Sequence, residues 1–145
     1  MSDVVPLPRI LLVEDNPGDV YLVRQAFEEH GFTCQLDVLR DGEEALRFIE
    51  NLDRDEDAAC PHALLLDLNL PKWGGEQILS RLRTSTKCAD TPVIVLTSSD
   101  SPVDRARANG FGVKHYFRKP NDLEEFLKLG MLVKNLSSPP PNTSC

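Results

Sequence analysis

His62-Ala63-Leu64-Leu65-Leu66-Asp67-Leu68-Asn69-Leu70-Pro71 is the stretch that decides the fold. Its run of leucines does not alternate with polar residues. That is the pattern of a parallel strand covered by helices on both faces of the sheet. The run ends in one carboxylate, followed by Pro71 and the pair Gly74-Gly75. Open α/β sheets gather their chemistry at the carboxyl ends of the strands, so Asp67 stands where a reactive carboxylate belongs. Taken alone, such an Asp serves equally well to start a turn or cap a helix.

The flanking chain repeats the same unit. Upstream, Pro6 to Pro8 form a stiff lead-in, and Arg9-Ile10-Leu11-Leu12-Val13 reads as a buried strand ending in Glu14-Asp15. Asn16-Pro17-Gly18-Asp19 turns the chain into a helix carrying Leu22, Val23, Ala26 and Phe27, with Gly31 as its C-terminal stop. Cys34 to Leu39 alternates as a sheet-edge strand does, and Ala45, Phe48, Ile49 and Leu52 mark a second helix. Downstream of Asp67, Ile78, Leu79 and Leu82 mark a third helix, and Pro92 to Thr97 reads as a fourth strand. A helix around Val103 and Ala106 is stopped by Asn109-Gly110, and His115-Tyr116-Phe117-Arg118 is a short fifth strand ending in Lys119-Pro120. Asn121 and Glu124 have capping-box spacing, with Leu123, Phe126 and Leu127 as the inner face of the last helix. The expected layout is a lead-in over 1–8, one domain over 9–134 and a disordered tail over 135–145. Alternation of strand and helix predicts an α/β fold with a parallel sheet and right-handed crossovers.

Composition narrows the function. With 16 basic and 23 acidic residues the net charge is -7, and there is no Lys/Arg cluster. Direct nucleic-acid binding and attraction to an anionic membrane are therefore not expected. The start lacks a secretory pattern, and no apolar run approaches the length of a membrane span. Cys34, Cys60, Cys88 and Cys145 show no metal-binding spacing, so they read as reduced thiols of a cytoplasmic protein. Asp53, Asp55 and Asp57 imitate a calcium loop, but Ala58 and Leu64 occupy the positions of its glycine and bidentate Glu. That acidic stretch reads as a solvated loop. No complete glycine-rich nucleotide motif occurs, since Gly110-Phe111-Gly112 is followed by His115 where the last glycine belongs.

The strand ends supply Glu14, Asp15, Asp67, Thr97 and Lys119. Three converging carboxylates repel unless protons or a metal neutralise them. An all-oxygen set with room for waters suits Mg²⁺ better than Ca²⁺. A carboxylate is a nucleophile for phosphoryl groups, and phosphoryl transfer needs mainly positioning and charge neutralisation. Mg²⁺, the Lys119 ammonium and the Thr97 hydroxyl can each take one phosphoryl oxygen.

On Val13-Glu14-Asp15-Asn16, Asp67-Leu68-Asn69-Leu70-Pro71, Val95-Leu96-Thr97-Ser98 and Lys119-Pro120, the chain resembles the receiver domains of two-component response regulators. The match runs from Pro8 to Leu132. The resemblance implies a flavodoxin-like (βα)5 fold with strand order 2-1-3-4-5. It implies that Asp67 is the phosphoacceptor, and that Asp15, Asp67 and the Asn69 backbone carbonyl bind Mg²⁺, with Glu14 acting through a water. It also implies that Thr97, Ser98 and Lys119 bind the phosphoryl group, that Tyr116 pairs with Thr97 as a switch, and that the Lys119-Pro120 bond is cis. Tyr116 as a plain core aromatic is the simpler alternative. The detail of Glu14-Asp15-Asn16-Pro17-Gly18-Asp19 and the long acidic loop are similar to free-standing receivers serving bacterial phytochromes. The expected function is a non-enzymatic response regulator taking its phosphoryl group from a sensor histidine kinase. Its signalling face, and a homodimer, would use the helix around Val103–Asn109, the fifth strand and the last helix. The rivals are a receiver-like scaffold that is never phosphorylated and an aspartate-nucleophile phosphatase. Against the latter, Asn69 stands where its second acid is needed.

Overall fold

The computed structural model describes residues 7–68, 70, 74–99 and 101–137. Among them, five strands form one parallel sheet in the order β2-β1-β3-β4-β5. The strands are β1 (Arg9–Val13), β2 (Gln35–Leu39), β3 (Ala63–Asp67), β4 (Val93–Thr97) and β5 (His115–Arg118). The helices are α1 (Pro17–Glu29), α2 (Gly42–Arg54), α3 (Gly75–Arg83), α4 (Pro102–Gly110), α5 (Leu123–Leu127) and α6 (Leu129–Ser137). β3 and β4 are buried along their whole length, whereas β2 and β5 form the half-exposed edges.

Because successive strand residues face opposite ways, the two cores are written in alternate positions. Leu11, Val13, Leu64, Leu66, Val93 and Val95 pack under α2 and α3 with Ile49, Leu52, Ile78 and Leu79, and α4 adds Ala108. Ile10, Leu12, Ala63, Leu65, Ile94 and Leu96 pack under Val23, Ala26 and Phe27 of α1, and under Phe126, Leu129 and Val133 of α5 and α6. Each such Leu or Ile, fully buried, contributes roughly 1.5–3 kcal/mol. Asn16 caps α1 by accepting from Gly18 N and Asp19 N. Gly31, at φ +60°, ends it in a conformation that favours glycine.

Several expectations are corrected. The last helix is two, α5 and α6, and α5 is capped by Asp122, which accepts from Glu124 N, rather than by Asn121. Leu123, at the first position of α5, faces solvent, while Phe126 is buried. α6 carries helix through residues 135–137; the rest of the expected tail, Cys145 included, lies outside the described residues. The helix expected around Val103 and Ala106 is present as α4, with both residues exposed and only Ala108 buried.

The acidic stretch is not simply solvated. α2 runs through Asp53, whose carboxylate accepts from Arg81 at 2.9 Å and from Ser85 at 2.5 Å. Lys87 donates to the Leu52, Asp55 and Ala58 carbonyls, capping the end of the helix. These bonds set the loop after α2 beside the loop after α3. There Cys60 and Cys88, with Cα atoms 5.6 Å apart, form a disulfide in place of the expected thiols. Cys34 is a half-buried free thiol. On the same side Arg83 donates to the carbonyls of Ala89, Thr91, Phe111 and Gly112, fastening the loops after α3 and α4 together.

The Ser85 hydroxyl and the Arg81 guanidinium hold the Asp53 carboxyl down to about 2, below its ordinary 3.8. A carboxyl lowered by folding contributes stability above its unfolded pKa, and that contribution is lost as pH falls through the folded value. In urea titrations, Asp53→Asn is therefore expected to flatten the loss of stability between about pH 4 and pH 2 relative to the native protein. Parallel acid limbs would refute the assignment.

Candidate functional site

Strand register builds the site. Val13 pairs with Leu66, so Glu14 stands level with Asp67. Asp67 pairs with Leu96, which places Thr97 one step beyond. Thr97 pairs with Arg118, and Lys119 N then donates to Thr97 O at 2.7 Å. The residues expected at the carboxyl ends of β1, β3, β4 and β5 thus reach one sheet edge.

A cleft at that edge is lined by Glu14, Asp15, Asp67, Ser98, Lys119 and Pro120, with Asn16, Asp19 and Asn121. One oxygen from each of Glu14, Asp15 and Asp67 lies within 4.8 Å of the others. Glu14 and Asp67 are buried, and Asp15 is exposed. Lys119 inserts its ammonium among the carboxylates, 2.7 Å from Glu14 Oε1, 2.7 Å from Asp19 Oδ2 and 3.4 Å from Asp67 Oδ2. Burial pushes the Glu14 carboxyl up to about 7, and the charge of Asp67 adds to the rise while the bond from Lys119 opposes it. Burial also opposes the charge on Lys119, but its bonds to Asp19 and Glu14 outweigh that and hold its pKa above the ordinary lysine value.

This is an all-oxygen donor set with one cation among several carboxylates, and it fits a further hard divalent cation. Such an edge of a doubly wound sheet is also where these folds bind their ligands. The family model of the response regulator receiver domain matches residues 10–129.

The chain belongs to that family.

Among relatives of this receiver domain, the probable methanogenesis regulatory protein FilR2 of Methanothrix harundinacea is 41% identical over 116 residues, covering 80% of this chain and 74% of that one. Response regulator Rcp1 of Synechocystis is 34% identical over 130 residues, covering 89% and 88%. Among solved structures, the phosphorylated cyanobacterial phytochrome response regulator RcpA superposes with a TM-score of 0.78 at 28% identity, over 89% of this chain and 92% of that one. The Mn²⁺-bound form of Rcp1 gives 0.76 at 31%, over 88% and 92%. These neighbours share the five-stranded parallel sheet in the order 2-1-3-4-5, so the fold expected from the sequence is the fold of this receiver domain. No helix among its described residues is long and apolar enough to cross a membrane.

Other expected site residues of the receiver domain lie at its margins. Thr97 is fully buried, and its hydroxyl oxygen accepts from Ser99 N at 3.1 Å. Tyr116 is half-buried beneath the Arg105 guanidinium, 4.4 Å from the ring centre, and its hydroxyl donates to Ser99 O at 3.2 Å. Asn69 lies outside the described residues. The Lys119-Pro120 bond is trans, since no cis peptide occurs among the described residues. An X–Pro bond favours trans by about 0.5–1 kcal/mol, and the trans chain already brings the ammonium to the carboxylates.

Two contributors were not apparent from the sequence. Asp19 supplies one of the two shortest bonds to Lys119. Ser99 joins Thr97 to Tyr116, and its hydroxyl donates to Asp104 of α4 at 2.7 Å. The run Thr97-Ser98-Ser99 advertised hydroxyls but not which would bridge.

Proposed function

We propose that this receiver accepts a phosphoryl group on Asp67 from the phosphohistidine of a sensor histidine kinase. The supporting observation is the convergence of Glu14, Asp15 and Asp67 around the Lys119 ammonium. A carboxylate oxygen of Asp67 forms the new bond to phosphorus as the phosphorus–nitrogen bond to the donor imidazole breaks. The imidazole leaves with the bonding pair and is reprotonated from solvent. Asp15, Asp67 and Glu14 would hold Mg²⁺, which when bound supplies positive charge beside the transferring oxygens. Lys119 orients and neutralises the group, Ser98 offers a hydroxyl at the rim, and Thr97 and Tyr116 pass the change through Ser99 toward α4.

Phytochrome response regulators among the structural neighbours support a bacterial phytochrome as the donor. On the same reading the α4-β5-α5 face is the signalling surface and the site of a homodimer. Sedimentation with and without a phosphoryl mimic tests the dimer; the same monomer in both states refutes it. The main experiment is intact mass after acetyl phosphate treatment, with and without Mg²⁺, beside Asp67→Asn. A single Mg²⁺-dependent adduct that is lost in the variant is expected. No adduct under any condition would instead favour a scaffold that works by contact alone.

A further inference from the structure

The geometry points to Asp19 as a positioning residue that competes with the phosphoryl group for the Lys119 ammonium, and so sets how readily Asp67 is charged. This rests on the proposed phosphoryl transfer to Asp67. An ammonium has three N–H donors, and here three carboxylates stand around it. The two short bonds, 2.7 Å each, go to Glu14 and Asp19, while the contact with Asp67 is 3.4 Å. In the resting protein the cation therefore sits nearer Asp19 than the nucleophile. Asp19 holds its place firmly, because it is in the first turn of α1 and its own N–H is tied to the Asn16 cap. Negative charge is favourable at that helix end. Its side chain is 22% exposed, against 12% for Lys119, so the pair is partly shielded from water. An arriving phosphoryl oxygen must draw the ammonium away from Asp19, and Asp19 then lacks its partner beside a second anion.

The test measures affinity for beryllofluoride, a phosphoryl mimic, in Mg²⁺, together with the rate of uptake from acetyl phosphate. Asp19→Asn is expected to raise both roughly fivefold, the factor matching about 1 kcal/mol for a partly exposed charge pair. Asp19→Glu should return both toward the native values, and Asp19→Ser repeats the loss of charge in case the amide disturbs folding. In a Lys119→Gln background, Asp19→Asn should have no effect, which a merely structural role or direct repulsion would not predict. If the native protein is charged but Asp19→Asn leaves both readouts unchanged or lowers them, Asp19 has no such role, and the phosphoryl acceptor stands. An effect that persists without Lys119 also overturns it. A native protein that neither binds beryllofluoride nor takes up phosphoryl would remove the proposed function and this inference with it.

Discussion

Lys119→Met is expected to lower stability by about 3 kcal/mol in a chelating buffer, the scale seen when one partner of a buried ion pair is removed. The ammonium is a positive charge facing Glu14, Asp67 and Asp19, whose side chains are 0%, 7% and 22% exposed. Without it, Glu14 and Asp67 are left side by side in a poorly solvated pocket. On the proposed reading, Mg²⁺ should restore most of the loss, because a cation held by the same carboxylates replaces the missing charge. Urea midpoints with chelator and with Mg²⁺ separate the two effects. Lys128→Met is the control: its bond to Glu125 at 3.0 Å lies between side chains more than half exposed, and losing it should change stability by less than about 0.5 kcal/mol. Equal effects of the two substitutions would show that the charges at the sheet edge are effectively solvated.

Gly130→Ala is the second large effect, expected near 3 kcal/mol, roughly the upper end of overpacking penalties. A Cβ at Gly130 would overlap the Ala26 carbonyl oxygen and lie 2.7 Å from His30 Cδ2. The nearest obstacle is backbone and cannot rotate aside. α6 would have to lift from α1, unpacking Leu129 and Val133 from Ala26 and Phe27. Gly110→Ala provides the contrast, since a methyl group there would meet nothing within 4 Å and its φ is not positive. At the end of α4 it should stabilise by about 0.5–1 kcal/mol. Thermal unfolding of the two variants checks both signs.

The three central strands could be read from the sequence because each is a short apolar run, and the edge strand β2 because it alternates. Once they pair in parallel, their last residues must share an edge, so Glu14, Asp67, Thr97 and Lys119 could be gathered from the order of residues alone. What escaped depends on which side chains meet across the fold. Nothing local joins Cys60 to Cys88, 28 residues apart, or tells Asp53 that Arg81 and Ser85 will face it. Asp19 read only as part of the turn into the first helix, and the direction of the Lys119 side chain gives it a further partner. The break between α5 and α6 was hidden for a related reason. Leu123, Phe126 and Leu127 keep helical spacing, and nothing in that spacing marks the end of α5 at Leu127.

α4 differs from its neighbours in how it is retained. It buries only Ala108, while its far end is fixed through Arg83's bonds to Phe111 and Gly112. Its near end is held through Ser99 and Ser101, whose hydroxyls bond Asp104 and its N–H. A helix with so little apolar area at stake lies at the low end of the molecule's ladder of local stabilities. On the proposed function, a differential interaction of about a kilocalorie or two at Ser99 would suffice to shift a helix held this lightly. On the proposed reading, a change of charge at the strand ends would be expected to displace this helix before the sheet, with the end fastened by Arg83 as its anchor.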